Sequence, residues 1–209
     1  MRRNQFEALA LAGALVVLNG VVDPRLPPRR AVAVRAVFGA ALAAATRTQL
    51  GFRPPALTRG LRTGAVAAAV VAAGVVAAGA VPAVRAAMAA RDLPDAPVRW
   101  LLLDIPLGTV WPEEAAYRGA LGQLGAQAFG PTGGRLLQSV AFGLSHIADA
   151  RGAGEPVVGT VVTTGVAGWV FALLAERSGS LVASMSAHLA VNEAGALAAL
   201  LVQRRGRHR

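Results

Sequence analysis

Residues Gly64–Val84 read GAVAAAVVAAGVVAAGAVPAV, a run without a charged side chain and with Pro82 as its one breaker. A helix rises about 1.5 Å per residue, so about 20 apolar residues cross the hydrocarbon core of a bilayer. The run predicts a transmembrane helix. Its small residues, with Gly74 and Ala78 four apart, predict close packing against neighbouring helices. The rest of the chain agrees. Hydrophobic residues make up 55% of the 209 residues and charged residues 15%, where a soluble domain usually carries about 25% charged. Mean hydropathy is +0.51.

Working outward, apolar segments recur at Phe6–Val22, Ala31–Leu50, Trp100–Phe129, Leu136–Ala148, Val157–Ala175 and Leu181–Val202. Prolines end the first, at Asp23-Pro24 and Pro27-Pro28. Arg35 and Arg47 interrupt the second, which snorkelling of both side chains would rescue. Gly51–Arg62 reads as a basic loop, Arg85–Arg99 as a polar one, and Asp149–Pro156 and Glu176–Ser180 as tight connections. No strand alternation of useful length and no long repeat appears. The predicted fold is all-α, a polytopic transmembrane helix bundle of about six to eight spans. Its organisation is N-terminal membrane spans over residues 1–98, a catalytic membrane core over 99–203 and a basic tail over 204–209. The start, Met1-Arg2-Arg3 before Phe6–Leu18, has the look of a signal peptide, but the spans that follow favour an uncleaved first helix.

The net charge is +10, and every one of the 21 basic residues is arginine. Most lie between apolar runs, and no basic stripe is interleaved with aromatics, which argues against nucleic acid and for lipid headgroups and topology. The arginine- and alanine-rich composition fits a GC-rich bacterial genome, hence a multi-pass protein of a bacterial plasma membrane. Arginines at both termini vote for two cytoplasmic ends and an even span count, whereas the segments number seven. The absence of cysteine excludes disulfides, thiolate metal sites and a cysteine nucleophile.

Chemistry concentrates after residue 99. Trp111-Pro112-Glu113-Glu114-Ala115-Ala116-Tyr117-Arg118 places two carboxylates in an apolar segment. Insertion scales charge about 2.5–3.5 kcal/mol for a charged side chain at a helix centre. Glu114 and Arg118, four apart, share a helix face and predict an ion pair. Glu113 points about 100° away, free to meet water or substrate. Pro106 and Pro112 predict a broken helix, with both glutamates opening its second half; the competing reading makes them a loop between two short helices. His146 follows Phe142 by four and His188 precedes Asn192 by four, in separate apolar segments. Each histidine alone fits an interhelical hydrogen bond; the set fits hydrolytic chemistry better. There is no H-E-x-x-H, no pair of intramembrane aspartates, and Ser145 before His146 only superficially resembles a serine-protease motif.

Taken in order, Glu113-Glu114-x-x-x-Arg118, Phe142-x-x-x-His146 and His188-x-x-x-Asn192 resemble the signature of the CPBP family, the CAAX-protease and bacteriocin-processing (Abi) intramembrane metalloproteases. The resemblance covers roughly Arg99–Val202, with Tyr117 where the family often has phenylalanine. It implies peptide-bond hydrolysis of a peptide or membrane-protein substrate by a glutamate-activated water. Glu113 would be the general base, Glu114 and Arg118 an orienting pair, His146 an acid/base partner or metal ligand, and His188 and Asn192 oxyanion donors. Glu113, His146, His188 and Asn192 could hold a zinc ion with an open position, and the same groups also work without metal. A non-enzymatic immunity or scaffold protein that keeps the cluster for helix packing, and a carrier that uses the carboxylates as a relay, are the competing functions.

Overall fold

The computed structural model describes residues 2–207. His208 and Arg209 of the expected basic tail lie outside the described residues. Nine helices make up the described chain: α1 (Arg3–Arg25), α2 (Pro28–Ala45), α3 (Ala56–Ala78), α4 (Pro82–Ala90), α5 (97–129), α6 (131–145), α7 (Ile147–Ala153), α8 (Val157–Ser178) and α9 (Leu181–Arg207). The architecture is an all-α bundle. Among the described residues four helices are long and apolar enough to cross a membrane: α1, α3, α8 and α9. Of the other long helices, α2 carries arginines, α5 carries Glu113, Glu114 and Arg118, and α6 is short.

Seven helices traverse the bundle in alternating directions, and hydrogen bonds between them define its two ends. At one end Asn4 donates to the Gln127 carbonyl, Gln123 to the Thr46 carbonyl, Arg59 to the Ser178 carbonyl, and the Leu181 amide to the Leu50 carbonyl. At the other, Asn19 donates to the Ser145 carbonyl and Gln203 to the Arg91 carbonyl. The two termini therefore sit at opposite ends. Seven traverses match the seven apolar segments in number and leave the two terminal arginine clusters at opposite ends of the bundle.

Several boundaries move. The α3 helix begins at Ala56, inside the stretch read as a basic loop, and that shift changes which glycines pack. Nothing lies within 4 Å of a side chain built at Gly74, whereas one at Gly60 would meet Ser180 and one at Gly64 would meet Ser186, at 2.7 and 2.8 Å. The close α3–α9 approach is thus made by Gly60 and Gly64, not by Gly74 and Ala78. Apolar residues cannot drive helices together in lipid, so small residues that admit a neighbouring backbone carry the packing. The outward face is apolar: Val158, Val162 and Val166 on α8 and Val66 and Val70 on α3 are all more than half exposed. Residues 85–90 and 149–153, read as loops, are helical, in α4 and α7.

The predicted break at Pro106 and Pro112 does not occur. Backbone angles stay right-handed helical through both prolines. Each is preceded by a π-helical turn, Trp100–Asp104 and Pro106–Val110. A wider turn relieves the ring's clash with the preceding carbonyl and re-partners backbone groups that proline leaves without a donor. The helix ends only at Gly130, whose φ of 76° and ψ of 169° are left to glycine, and Pro131 opens α6.

Candidate active site

The third π-helical stretch of α5, Glu114–Leu121, carries the centre of the site, and all of its residues are buried. Oε1 of Glu114 accepts a hydrogen bond from Nδ1 of His188 at 2.8 Å and lies 3.3 Å from an Arg118 Nη1. The Arg118 guanidinium is held between two rings, 4.0 Å from the centroid of Phe142 and 5.0 Å from that of Phe171. Phe171 also stacks on the His188 ring at 5.0 Å. A desolvated cation gains from aromatic faces on both sides. Phe171 was not singled out in the sequence, because an aromatic in an apolar helix gives no signal of a cationic neighbour.

The two glutamates meet the same imidazole from opposite nitrogens. Oε2 of Glu113 lies 3.8 Å from Nε2 of His188 and has no hydrogen-bond partner, although buried. The gap exceeds a direct hydrogen bond. Because Nδ1 of His188 donates to Glu114, the tautomer is fixed and Nε2 is the atom presented to Glu113.

Glu113 lines a cavity of about 520 Å³ together with Tyr117, His146 and Asn192. His146 is not inside an apolar helix as the spacing suggested. It stands at the junction of α6 and α7, half-buried, with φ −87° and ψ 5°, a sparsely populated backbone region where active-site residues often sit. Its ring meets Phe142 edge-on at 4.7 Å, and Nδ1 lies 2.7 Å from the Phe142 carbonyl. A carbonyl only accepts, so Nδ1 carries a proton and neutral His146 offers Nε2 as an acceptor. The Asn192 amide donates to the His188 carbonyl at 3.1 Å, which leaves one N–H of that amide for the cavity.

The far wall of the cavity comes from the N-terminal helices. Asn19, Asp23 and Arg35 line it, with Thr109 and Asp149. Arg35 is held in an ion pair. Its guanidinium grips both carboxylate oxygens of Asp23, with Nε to Oδ1 at 2.6 Å. Sequence spacing hid these residues, because the pair is twelve apart across a turn. Asp149 stands on the cavity wall, and partial burial of its carboxyl raises its pKa above the ordinary aspartate value, with His146 and Arg35 opposing the shift and Asp23 adding to it.

The expected four-ligand metal set is not assembled. Among the described residues no three His, Cys, Asp or Glu side chains group as metal ligands. Glu113 and Nε2 of His188 stand side by side, while the Asn192 amide is turned to a backbone carbonyl.

Residues 95–194 match the family model described as type II CAAX prenyl endopeptidase Rce1-like. That segment belongs to the CAAX-protease family. It runs from the turn before α5 to the middle of α9 and contains every residue of the Glu113–Glu114–Arg118, His146 and His188–Asn192 set. Comparison with curated proteins returned no match, and comparison with solved structures returned none. A protease domain set on apolar helices makes the chain a membrane protein.

Proposed function

We propose that the chain is a multi-pass intramembrane endopeptidase of a bacterial plasma membrane, and that Glu113 is the general base for a hydrolytic water. The observation that carries this reading is the unpartnered, buried Oε2 of Glu113, 3.8 Å from Nε2 of His188 at a cavity wall. A water between these two atoms can give its proton to Glu113 as it attacks the scissile carbonyl. The carbonyl becomes an oxyanion. Its donors are the free N–H of Asn192 and, when the ring carries a proton on both nitrogens, Nε2 of His188. The leaving amine takes the proton held by Glu113, directly or through Nε2 of His146. Glu114 and Arg118 touch no substrate in this scheme; they hold His188 in one tautomer and one orientation.

The cavity is bounded by residues from α1, α2 and α5, which suits an extended peptide entering from one end of the bundle. A membrane-anchored peptide is the substrate class this supports. Zinc held by Glu113, His146, His188 and Asn192 is the competing reading. Cleavage by the reconstituted protein after dialysis against a strong chelator separates the two. Retained cleavage is the outcome expected for a water activated by Glu113 alone; loss restored by added zinc is the outcome expected for a metal site.

A further inference from the structure

On the outside of the bundle, sharing no wall residue with the first cavity, α3, α8 and α9 enclose a groove of about 570 Å³. Its rims are Val66 and Val70 on α3 and Val170 and Leu174 on α8, and its floor is Ala187 on α9. Val66 and Val70 are 67% and 68% exposed, and Ala187 is 1% exposed. The groove follows from residue size. Gly60 and Gly64 bring α3 close against α9, and at Ala187 a single methyl group is all that rises between α3 and α8. Beyond Thr63 every wall residue is apolar.

One end of the groove is different. Arg62 lines it. Residues three and four apart share a helix face, so Arg59, Arg62, Val66 and Val70 run along one side of α3, and Val170, Leu174 and Arg177 along one side of α8. Both rims therefore change from aliphatic side chains to arginine. They change at the same end of the bundle, because Nε of Arg59 donates to the Ser178 carbonyl at 3.1 Å and ties the start of α3 to the end of α8. Arg62 and Arg177 are exposed. Among the described residues none of these three arginines pairs with a carboxylate, and Glu176, beside Arg177, is taken by Arg135.

We propose that this groove binds one phospholipid with an anionic headgroup, an acyl chain lying between the rims and the phosphate resting on Arg62 and Arg177. The apolar length suits an acyl chain. A peptide laid there would leave backbone donors and acceptors without partners in the hydrocarbon region. The basic end suits a phosphate, whose oxygens match the planar guanidinium fork. Long arginine side chains reach the headgroup level while their stems cover apolar surface. Charge then selects among lipids. A zwitterionic lipid brings its own cation among three unpaired arginines, whereas phosphatidylglycerol brings none. Val170 and Ala187 directly precede Phe171 and His188, whose rings stack at 5.0 Å. A lipid seated here braces the two helices that hold the catalytic imidazole.

Native mass spectrometry of the purified full chain in mild detergent counts bound lipid and does not depend on proteolysis. Dioleoyl phosphatidylglycerol and dioleoyl phosphatidylcholine share their acyl chains and are titrated separately. The first phosphatidylglycerol is expected to bind at least about tenfold more tightly than phosphatidylcholine. Arg62→Gln/Arg177→Gln should remove most of that difference, and Val170→Trp, which fills the groove, should weaken phosphatidylglycerol to a similar degree. Arg85→Gln at the opposite end and Val37→Trp on the lipid-facing side of α2 should leave its affinity unchanged. All of these positions are exposed, and gel filtration confirms that each variant is folded. Equal affinity for the two lipids, or a preference that survives either the double arginine variant or Val170→Trp, overturns the proposal. So does a dimer of the wild type that Val170→Trp dissolves, since the groove would then hold a second copy of the chain.

Discussion

Glu113 and Glu114 are neighbours in the chain with different surroundings. Glu114 is enclosed, with His188 and Arg118 as partners; Glu113 keeps a free oxygen at the cavity wall. Charge placed in an apolar run made both visible in the sequence, and the four-residue spacing made the Glu114–Arg118 pair visible. What the sequence could not carry is that one imidazole joins them, because His188 is 74 residues from Glu114. The enclosed pair gives a stability prediction. Arg118→Met leaves a buried carboxylate unpaired, and removing one partner of a buried pair costs about 3–5 kcal/mol. The double variant Glu114→Gln/Arg118→Met removes that penalty and should recover much of the loss. Thermal unfolding in detergent measures both. Equal destabilisation by the single and the double variant contradicts the pairing. Both variants should cleave slowly, since His188 loses its orientation.

Helix existence was readable from apolar length, and helix contacts were not. Gly74 and Ala78 had the spacing of a packing face, yet Gly60 and Gly64 make the contact, because α3 extends back through Arg59 and Arg62. Arginine near a membrane surface does not stop a helix, and the sequence offers no other signal there. Gly64→Leu should therefore lower the melting temperature and the folded yield in detergent, while Gly74→Leu, with nothing within 4 Å, should leave both near wild type. A larger loss at Gly74 contradicts the α3–α9 interface. The same scale explains Pro106 and Pro112. Proline reads as a breaker, but a π-helical turn absorbs each one and keeps α5 whole, so that Glu113 and Arg118 sit on one continuous helix.

For the molecule as a whole, the antiparallel order of seven helices fixes the termini at opposite ends. The end nearest the first cavity holds Arg25, Arg30, Arg35, Arg85, Arg91, Arg99, Arg151, Arg204 and Arg205; the other holds Arg2, Arg3, Arg47, Arg53, Arg59, Arg62, Arg135 and Arg177, a small excess at the first. The positive-inside rule then puts the first cavity and the C-terminus in the cytoplasm and the N-terminus outside. Reporter fusions at each terminus should score on opposite sides of the membrane; the same side for both contradicts seven crossings. The all-α membrane class was legible in composition. The orientation was not, since terminal arginines vote alike and only the helix order breaks the tie. Everything in this arrangement converges on one carboxylate. The most direct test is the rate at which reconstituted Glu113→Gln cleaves a membrane-anchored peptide, beside the wild type at equal folded protein. General-base catalysis contributes about 10²–10⁴-fold, so the variant should lose at least that lower factor with unfolding temperature unchanged. Cleavage by folded Glu113→Gln at the wild-type rate would contradict the assignment of Glu113 as the base.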